Sequence, residues 1–141
     1  MADGATHDRV GILIGLAAGA ITEIVFPGAT APIMIDAIGG TLFLSPDLDV
    51  RDRKCKAWWR WNRYLKLGWY WNIYAALIPH HRHWLSHSPI VSTLIRAIFL
   101  GWPLVLIPTK IAFGIWILVF IGLEIATLTH LYLDGLLFKE R

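Results

Sequence analysis

The chain has 141 residues, of which 56% are hydrophobic even without its 12 glycines and 16% are charged, and its formal net charge is +3. An average soluble domain is about 45–50% apolar and about 25% charged, and a chain of this length has little interior in which to bury the excess. The composition therefore excludes a disordered tail and argues against an ordinary soluble domain. The single cysteine, Cys55, excludes an internal disulfide and a thiolate cluster for zinc.

Four apolar runs follow one another in the chain, at about 10–26, 29–44, 89–107 and 111–133. About 20 apolar residues are needed to cross a hydrocarbon layer of about 30 Å as a helix, so the first two runs are short and the last two are long enough. Short connections join the first run to the second and the third to the fourth. We predict an all-α integral membrane bundle of four transmembrane helices in two helical hairpins, forming a single domain over residues 1–141.

The segment 57–79 between the two hairpins is rich in aromatic residues interleaved with basic ones. Such side chains favour the headgroup boundary of a membrane, and the cations attract anionic lipid. We predict that this segment lies along the membrane surface and that lipids are its partners. Stacking of nucleobases is the alternative use of such a pattern, and we do not favour it because no soluble platform accompanies the segment.

Basic residues set the predicted orientation. Eleven of the 13 lysines and arginines fall on one side of the predicted spans, Lys110 falls on the other, and Arg96 lies within the third span. By the positive-inside rule, both termini and the long central segment face the cytoplasm, in an inner or plasma membrane. We read the first run as a retained helix rather than a signal peptide, because the segment before it carries Asp3, Asp8 and a lone Arg9.

Residues of the types that bind metals fall at the predicted ends of the runs. His7 precedes the first run, Asp47 and Asp49 follow the second, a segment with four histidines precedes the third, and His130 and Asp134 close the fourth. In a four-span bundle all of these lie at one membrane face, and the set includes all six histidines of the chain. The topology therefore predicts a metal site at the cytoplasmic interface.

Spacing supports the same site. His130 and Asp134 are four residues apart and share one helix face, as do His83 and His87. Neutral imidazoles and carboxylates are the ligands of Zn²⁺, Mn²⁺ or Fe²⁺, so we predict one or two divalent ions, with zinc favoured. The alternatives are headgroup contacts for single histidines, a turn or cap for the Pro-Asp pair, and a plain hydrogen bond between His130 and Asp134.

The order of these motifs resembles a known family. A histidine near the start is followed by Pro-Asp-x-Asp at 46–49, by His-Arg and Ser-His-Ser within 81–88, and by His-x-x-x-Asp at 130–134. This order resembles the YdjM-like membrane-bound metal-dependent hydrolases, and in particular their cyanobacterial-type relatives described as uncharacterised membrane metal-binding proteins. The resemblance implies metal-site roles for His7, Asp47, Asp49, His81, His87, His130 and Asp134.

The chain departs from that family pattern in two places. Val50 stands where the relatives often have another histidine, which bears on whether a second ion binds. The segment from His81 to His87 is one residue longer than the usual family motif. This leaves open whether His81 or His83 is the ligand.

We predict that the protein is a metal-dependent hydrolase acting on a phosphoester carried by a lipid or another amphiphile at the cytoplasmic membrane interface. A bound ion would activate water, Arg82 would neutralise phosphate charge, and Asp47 or Asp134 would act as general base. The alternative is a non-catalytic metal protein, such as a sensor, a chaperone or a transport component, whose own ligands saturate the ion. A third interpretation is an interaction anchor without metal.

Two charged residues fall inside the predicted spans at similar depth. Arg96 lies nine residues beyond His87, and Glu124 lies six residues before His130. Because an isolated charge is costly in a bilayer, we expect Arg96 to pair with Glu124 or with Asp36.

Overall fold

The computed structural model describes residues 4–50, 55–101 and 113–135, and every regular element in these ranges is helical. The longer helices are α1 (Gly4–Val25), α2 (Thr30–Phe43), α4 (Gly68–Leu77), α6 (Val91–Gly101) and α7 (Phe113–Leu133). Short elements connect them: the 3-10 helices Pro27–Ala29 and Pro46–Asp49, α3 (Lys56–Arg60), the π-helix Trp61–Leu65 and α5 (Trp84–His87). The all-α prediction is confirmed for the described residues.

Helices α1 and α2 form the antiparallel hairpin that the sequence predicts. Small residues at four-residue spacing on α1 face α2 and allow the two backbones to approach closely. At Gly11 a Cβ atom would lie 2.3 Å from Thr41 Cγ2, which is far inside van der Waals contact. The hairpin brings the start of α1 and the end of α2 to the same end of the bundle.

Helix α7 packs against α2 in the same direction. Gly40 of α2 faces Leu123 and Ala126 of α7, and Gly122 of α7 faces Ile33 and Asp36 of α2. Residue numbers at these contacts rise together along both helices, so the helices are parallel. The end of α7 therefore reaches the same end of the bundle as the end of α2.

Helix α6 does not form the predicted second hairpin with α7 in the described residues. The backbone N–H of Ile90 donates to Glu124 at 3.0 Å, and the hydroxyls of Thr93 and Thr127 lie 2.8 Å apart. These contacts advance in the same direction along both helices, whereas those of an antiparallel pair run in opposite directions. Hydrophobic length predicts that a helix is buried in apolar surroundings, but it does not determine the direction in which the helix runs. Residues 102–112, which include the rest of the predicted third span and the start of the fourth, lie outside the described residues.

The predicted pairing of Arg96 with Glu124 or Asp36 is wrong. The guanidinium of Arg96 is buried and donates to the backbone carbonyl of Leu44, to Ser92 and, at 2.6 Å, to the Thr127 hydroxyl. Because α6 does not run antiparallel to α7 in the described residues, this guanidinium reaches the end of α2. Arg96 therefore joins α2, α6 and α7 through neutral oxygen acceptors.

The aromatic segment 57–79 lies only partly at the surface. Trp58, Trp71 and Tyr74 are buried in one hydrophobic cluster with Leu44 and Leu48. These three rings supply core area that the short connecting helices need, and they face the protein. That the segment lies along a membrane stays a prediction for its other side chains. The remaining aromatic side chains of the segment are partly buried or exposed.

In the described part of the chain, two helical segments are long and apolar enough to cross a membrane, Pro27–Asp49 and Trp116–Leu133. The apolar part of α1 is confined to the stretch between Arg9 and Glu23, and α6 is too short in the described residues. The predicted four-span bundle is therefore not confirmed.

Candidate metal centre

A capped turn directly after α2 presents two carboxylates. The Ser45 hydroxyl accepts a hydrogen bond from the backbone N–H of Asp47 at 3.3 Å, and Pro46 occupies the first position of the 3-10 helix that follows. The side chain of Asp47 is 30% exposed, whereas that of Asp49 is fully buried. The two carboxylates of the Pro-Asp-x-Asp motif therefore have different surroundings.

Asp47 lies between two imidazoles from different parts of the chain. Its Oδ1 atom is 3.6 Å from His87 Nε2 and 3.4 Å from His130 Nε2. We call Asp47, His87 and His130 the central triad. The three residues come from the turn after α2, from the short helix α5 and from α7, which the parallel packing of α2 and α7 brings together.

The spacing of the central triad fits a bound cation better than it fits a hydrogen-bond network. Two ligand atoms at about 2.0–2.1 Å from a four-coordinate zinc ion lie about 3.3 Å apart. The distances of 3.4 and 3.6 Å are close to that value and long for a hydrogen bond. His130 Nε2 is buried without a hydrogen-bond partner, and a buried nitrogen of this kind is costly unless something binds it.

A serine fixes the orientation and tautomer of His87. Ser86 Oγ lies 2.5 Å from Asp49 Oδ2, 2.9 Å from the His83 carbonyl oxygen and 2.9 Å from His87 Nδ1. Because the first two atoms can only accept, the hydroxyl donates to one of them and accepts from His87. His87 Nδ1 therefore carries a hydrogen, and in the neutral ring Nε2 keeps the lone pair that faces Asp47.

Asp49 is the centre of this supporting network. Its carboxylate accepts hydrogen bonds from Ser86, from His81 Nδ1 at 2.7 Å and from the backbone N–H of Arg82 at 3.1 Å. His87 Nδ1 lies 3.4 Å from the same carboxylate. A carboxylate behind a ligating histidine is a common arrangement that orients the ring and raises its basicity.

The structure distinguishes His81 from His83, which the sequence left open. The His81 imidazole contacts Asp49, whereas the His83 ring accepts a hydrogen bond from the Leu85 N–H at 3.3 Å and caps helix α5. His80 is exposed and contacts the carbonyl of His81. The geometry therefore places His81, and not His80 or His83, at the centre.

His7 and Asp134 lie on the other side of His130. His7 Nε2 is 3.1 Å from Asp134 Oδ1, and the rings of His7 and His130 stack with centroids 4.2 Å apart. Arg82 Nη2 donates to Asp134 Oδ2 at 2.8 Å. All seven residues that the resemblance implies, and the candidate catalytic residue Arg82, thus meet in one connected cluster.

Charge at the centre favours protonation of His87 when no cation is bound. Burial of the ring opposes its charged form, but contacts with Asp47 and Asp49 outweigh burial and raise the pKa of His87 above its ordinary value. A cation that binds to His87 Nε2 therefore competes with a proton for this atom. Burial also raises the pKa of the nearby Cys55 thiol to about 11, so this residue stays a thiol and not a thiolate ligand at neutral pH.

Sequence reasoning missed an ion pair beside the centre. Arg60 of α3 donates to Asp8 of α1 at 2.6 Å and to the Leu42 carbonyl of α2 at 2.7 Å. Arg60 and Asp8 border a small cavity of about 30 Å³ that His7 and Asp47 also line. No motif signals this pair, because its members are 52 residues apart and belong to separate elements.

Replacing Asp49 with asparagine tests the supporting network. We expect Asp49→Asn to weaken metal affinity by about 10–100-fold, because the amide cannot accept from all the donors that surround Asp49. Stoichiometric binding is expected to remain at high metal concentration, as measured by competition with a chromophoric chelator. Ser88→Ala is the control, since the Ser88 hydroxyl donates to the Trp84 carbonyl and not to the centre. Complete loss of binding by Asp49→Asn would contradict a supporting role.

Residues 2–117 match a family model described as "Uncharacterized metal-binding protein (DUF2227)", so the chain belongs to this family of metal-binding proteins. The match includes five of the seven implied metal-site residues, while His130 and Asp134 follow it. No curated protein and no solved structure matches the chain. The family confirms the predicted metal-binding class. The YdjM-like affiliation, hydrolysis, zinc and the membrane stay predictions.

Proposed function

We propose that the protein is a membrane-embedded hydrolase that uses one divalent cation to cleave a phosphoester carried by a lipid or another amphiphile. The observation that supports a cation most strongly is the central triad, in which Asp47 Oδ1 lies 3.6 Å from His87 Nε2 and 3.4 Å from His130 Nε2. Two imidazoles and a carboxylate favour zinc, and they also accept Mn²⁺ or Fe²⁺.

Sharing of ligands supports one ion rather than two. A second cluster, formed by His7, His130 and Asp134, reaches His130 through the same Nε2 atom that faces Asp47. A third, formed by Asp49, His81 and His87, contacts His87 through Nδ1, which carries a hydrogen. Since a neutral imidazole has one lone pair, neither cluster can hold its own ion while the central triad holds one.

Three protein ligands leave a position open for water or substrate, which is the usual arrangement of a catalytic ion. The partial exposure of Asp47 and of the Arg82 side chain supports access from outside. When bound, a divalent cation polarises a phosphoryl group and activates water for attack. Hydrolysis is therefore the activity that the proposed site suits best.

Arg82 and Asp134 have complementary roles in this proposal. The Arg82 guanidinium binds a phosphate through charge-assisted hydrogen bonds, in place of its present bond to Asp134. This exchange frees Asp134 Oδ2, which lies 3.8 Å from His130 Nε2, to accept a proton from water. His7 continues to hold the other carboxylate oxygen and keeps Asp134 in position.

Exposed apolar side chains support the proposed membrane location. Large hydrophobic residues are exposed along α1, α2 and α7, and two helical segments could cross a membrane. The distribution of basic residues supports a site at the cytoplasmic face. A headgroup phosphate would then lie at the depth of the centre.

A phosphoester panel with the metal-loaded protein tests the function, and Arg82→Gln tests the proposed phosphate contact. We expect Arg82→Gln to raise KM by about 10–100-fold, because a hydrogen bond to a charged group contributes about 1.5–3 kcal/mol. Metal content should be unchanged, and Arg9→Gln on the exposed side of α1 should behave as wild type. An unchanged KM would contradict the role of Arg82, and stoichiometric metal without turnover of any substrate would favour a non-catalytic metal protein.

A further inference from the structure

The exposed and buried faces of α6 are the reverse of those in a soluble protein. Its buried face carries Ser92, Thr93 and Arg96, the last of which is 3% exposed. Its outer face, beginning at the residue before the helix, carries Ile90 and Ile98, which are 62% and 60% exposed, with Leu94 between them. A polar inner face and an apolar outer face fit a helix surrounded by hydrocarbon.

Helix α4 presents a similar stripe. Trp69, Ile73 and Leu77 are exposed at four-residue spacing, while Trp71 and Tyr74 on the opposite face are buried. The two helices are in contact, because the Tyr70 hydroxyl donates to the Phe99 carbonyl and their rings pack with centroids 4.5 Å apart. The two apolar stripes therefore belong to neighbouring helices.

Within the described residues, neither helix is long enough to cross a bilayer. With 10 and 11 described residues, α4 and α6 extend about 15–17 Å, or roughly half of a hydrocarbon core. Ile90, the residue before α6, contacts Glu124, and Thr93 and Arg96 of α6 contact Thr127, which is nearer to the metal centre. The described part of α6 therefore does not lead away from the end of the bundle that carries the centre.

Cationic side chains border the α4 stripe. Arg63 and Lys66 are exposed just before α4, and the Arg63 guanidinium lies 4.8 Å from the centroid of the Trp59 ring. Basic residues beside exposed tryptophans match the headgroup boundary of an anionic membrane. This charge favours a lipid surface as the occupant of the stripes over a second copy of a chain with the same positive charge.

We propose that the exposed faces of α4 and α6 insert into the acyl layer of a single leaflet, with Arg63 and Lys66 among anionic headgroups. The inference rests on the proposed membrane location. For the described residues of the predicted third span, it replaces a membrane-crossing helix with a helix confined to one leaflet. The metal centre then lies beside the headgroups of that leaflet.

Depth measurements with spin labels test this placement. In a Cys55→Ser background, which keeps a side-chain hydrogen-bond acceptor at the N-cap of α3, single cysteines replace Ile73, Ile90 and Ile98. The labelled proteins are reconstituted into vesicles of equal parts phosphatidylcholine and phosphatidylglycerol. Labels at Ile35 and Ile121, on the two candidate spans, give the lipid reference, and a label at Arg9 gives the aqueous reference.

We expect the labels at Ile73, Ile90 and Ile98 to be accessible to oxygen, with Ile98 no deeper than Ile90. A spanning helix would place Ile98 about 12 Å deeper than Ile90, and that result would overturn the proposal. Provided that the reference labels at Ile35 and Ile121 are in lipid, two other results would also overturn the proposal. In the first, the labels at Ile73, Ile90 and Ile98 are accessible to aqueous reagents. In the second, protein shields them from oxygen and from aqueous reagents alike. If the reference labels are themselves aqueous, the membrane location fails as well.

Discussion

His87→Ala is expected to abolish stoichiometric metal binding, with affinity reduced by at least about 100-fold. His87 supplies a buried Nε2 atom that lies 3.6 Å from Asp47 Oδ1, and the contact of Ser86 with Nδ1 orients its ring. A second imidazole, that of His130, faces the same oxygen, and the proposed site needs both. Loss of a supporting partner alone typically weakens a metal site by 10–100-fold, so loss of the ligand itself should cost more. Elemental analysis of detergent-purified protein measures the effect.

The neighbouring histidines provide matched controls for this prediction. His80→Ala and His83→Ala remove imidazoles within seven residues of His87, but their rings lie against backbone groups and not against the central carboxylates. Both variants should retain full metal content. His130→Ala should behave like His87→Ala, which guards against a folding defect peculiar to one variant. Wild-type metal content in both ligand variants would show that the site has been assigned to the wrong residues.

Gly122→Ala is expected to destabilise the fold by about 1–3 kcal/mol and to weaken metal binding as well. A Cβ atom at this position would lie 2.6 Å from Asp36 Cβ and 2.9 Å from the backbone oxygen of Ile33. Backbone atoms of α2 cannot move aside as a flexible side chain can, so α2 and α7 must separate. The same two helices hold Asp47 and His130, and separation lengthens the 3.4 Å distance between their ligand atoms.

Gly114→Ala is the control on the same helix, since a Cβ there meets no atom of the described chain within 4 Å. Its stability should be unchanged or higher by up to about 1 kcal/mol, because alanine favours a helix over glycine. Thermal unfolding in detergent and chelator competition report stability and affinity for both variants. If Gly122→Ala loses stability but binds metal as tightly as wild type, helix spacing does not set the geometry of the centre.

The sequence predicts the cluster well because its members occupy fixed positions on regular elements. Asp47 follows a capped proline turn, and His130 and Asp134 share one face of a long helix, so each reaches the end of the bundle once the helix directions are known. The sequence could not predict that Asp47 belongs to the central triad whereas Asp49 supports His87 from behind. This difference depends on Ser86, which contacts Asp49 across 37 residues of sequence.

The path of α6 was not predictable for a different reason. Hydropathy measures apolar content and length, and the run 89–107 has both, but nothing in it indicates the direction in which the helix packs against α7. The partner predicted for Arg96 is wrong for the same reason, because it assumed that α6 runs antiparallel to α7. With α6 packed in the observed direction, the guanidinium reaches the Leu44 carbonyl and the Thr127 hydroxyl, and Glu124 instead accepts from the backbone of Ile90.

The position of the bound ion tests the central claim most directly, and anomalous diffraction from metal-loaded crystals measures it. The geometry predicts one strong peak among Asp47 Oδ1, His87 Nε2 and His130 Nε2, within about 2.0–2.3 Å of all three atoms. A peak between Asp49 and His81, a peak on Cys55, or no peak in this region would contradict a metal centre built on the central triad.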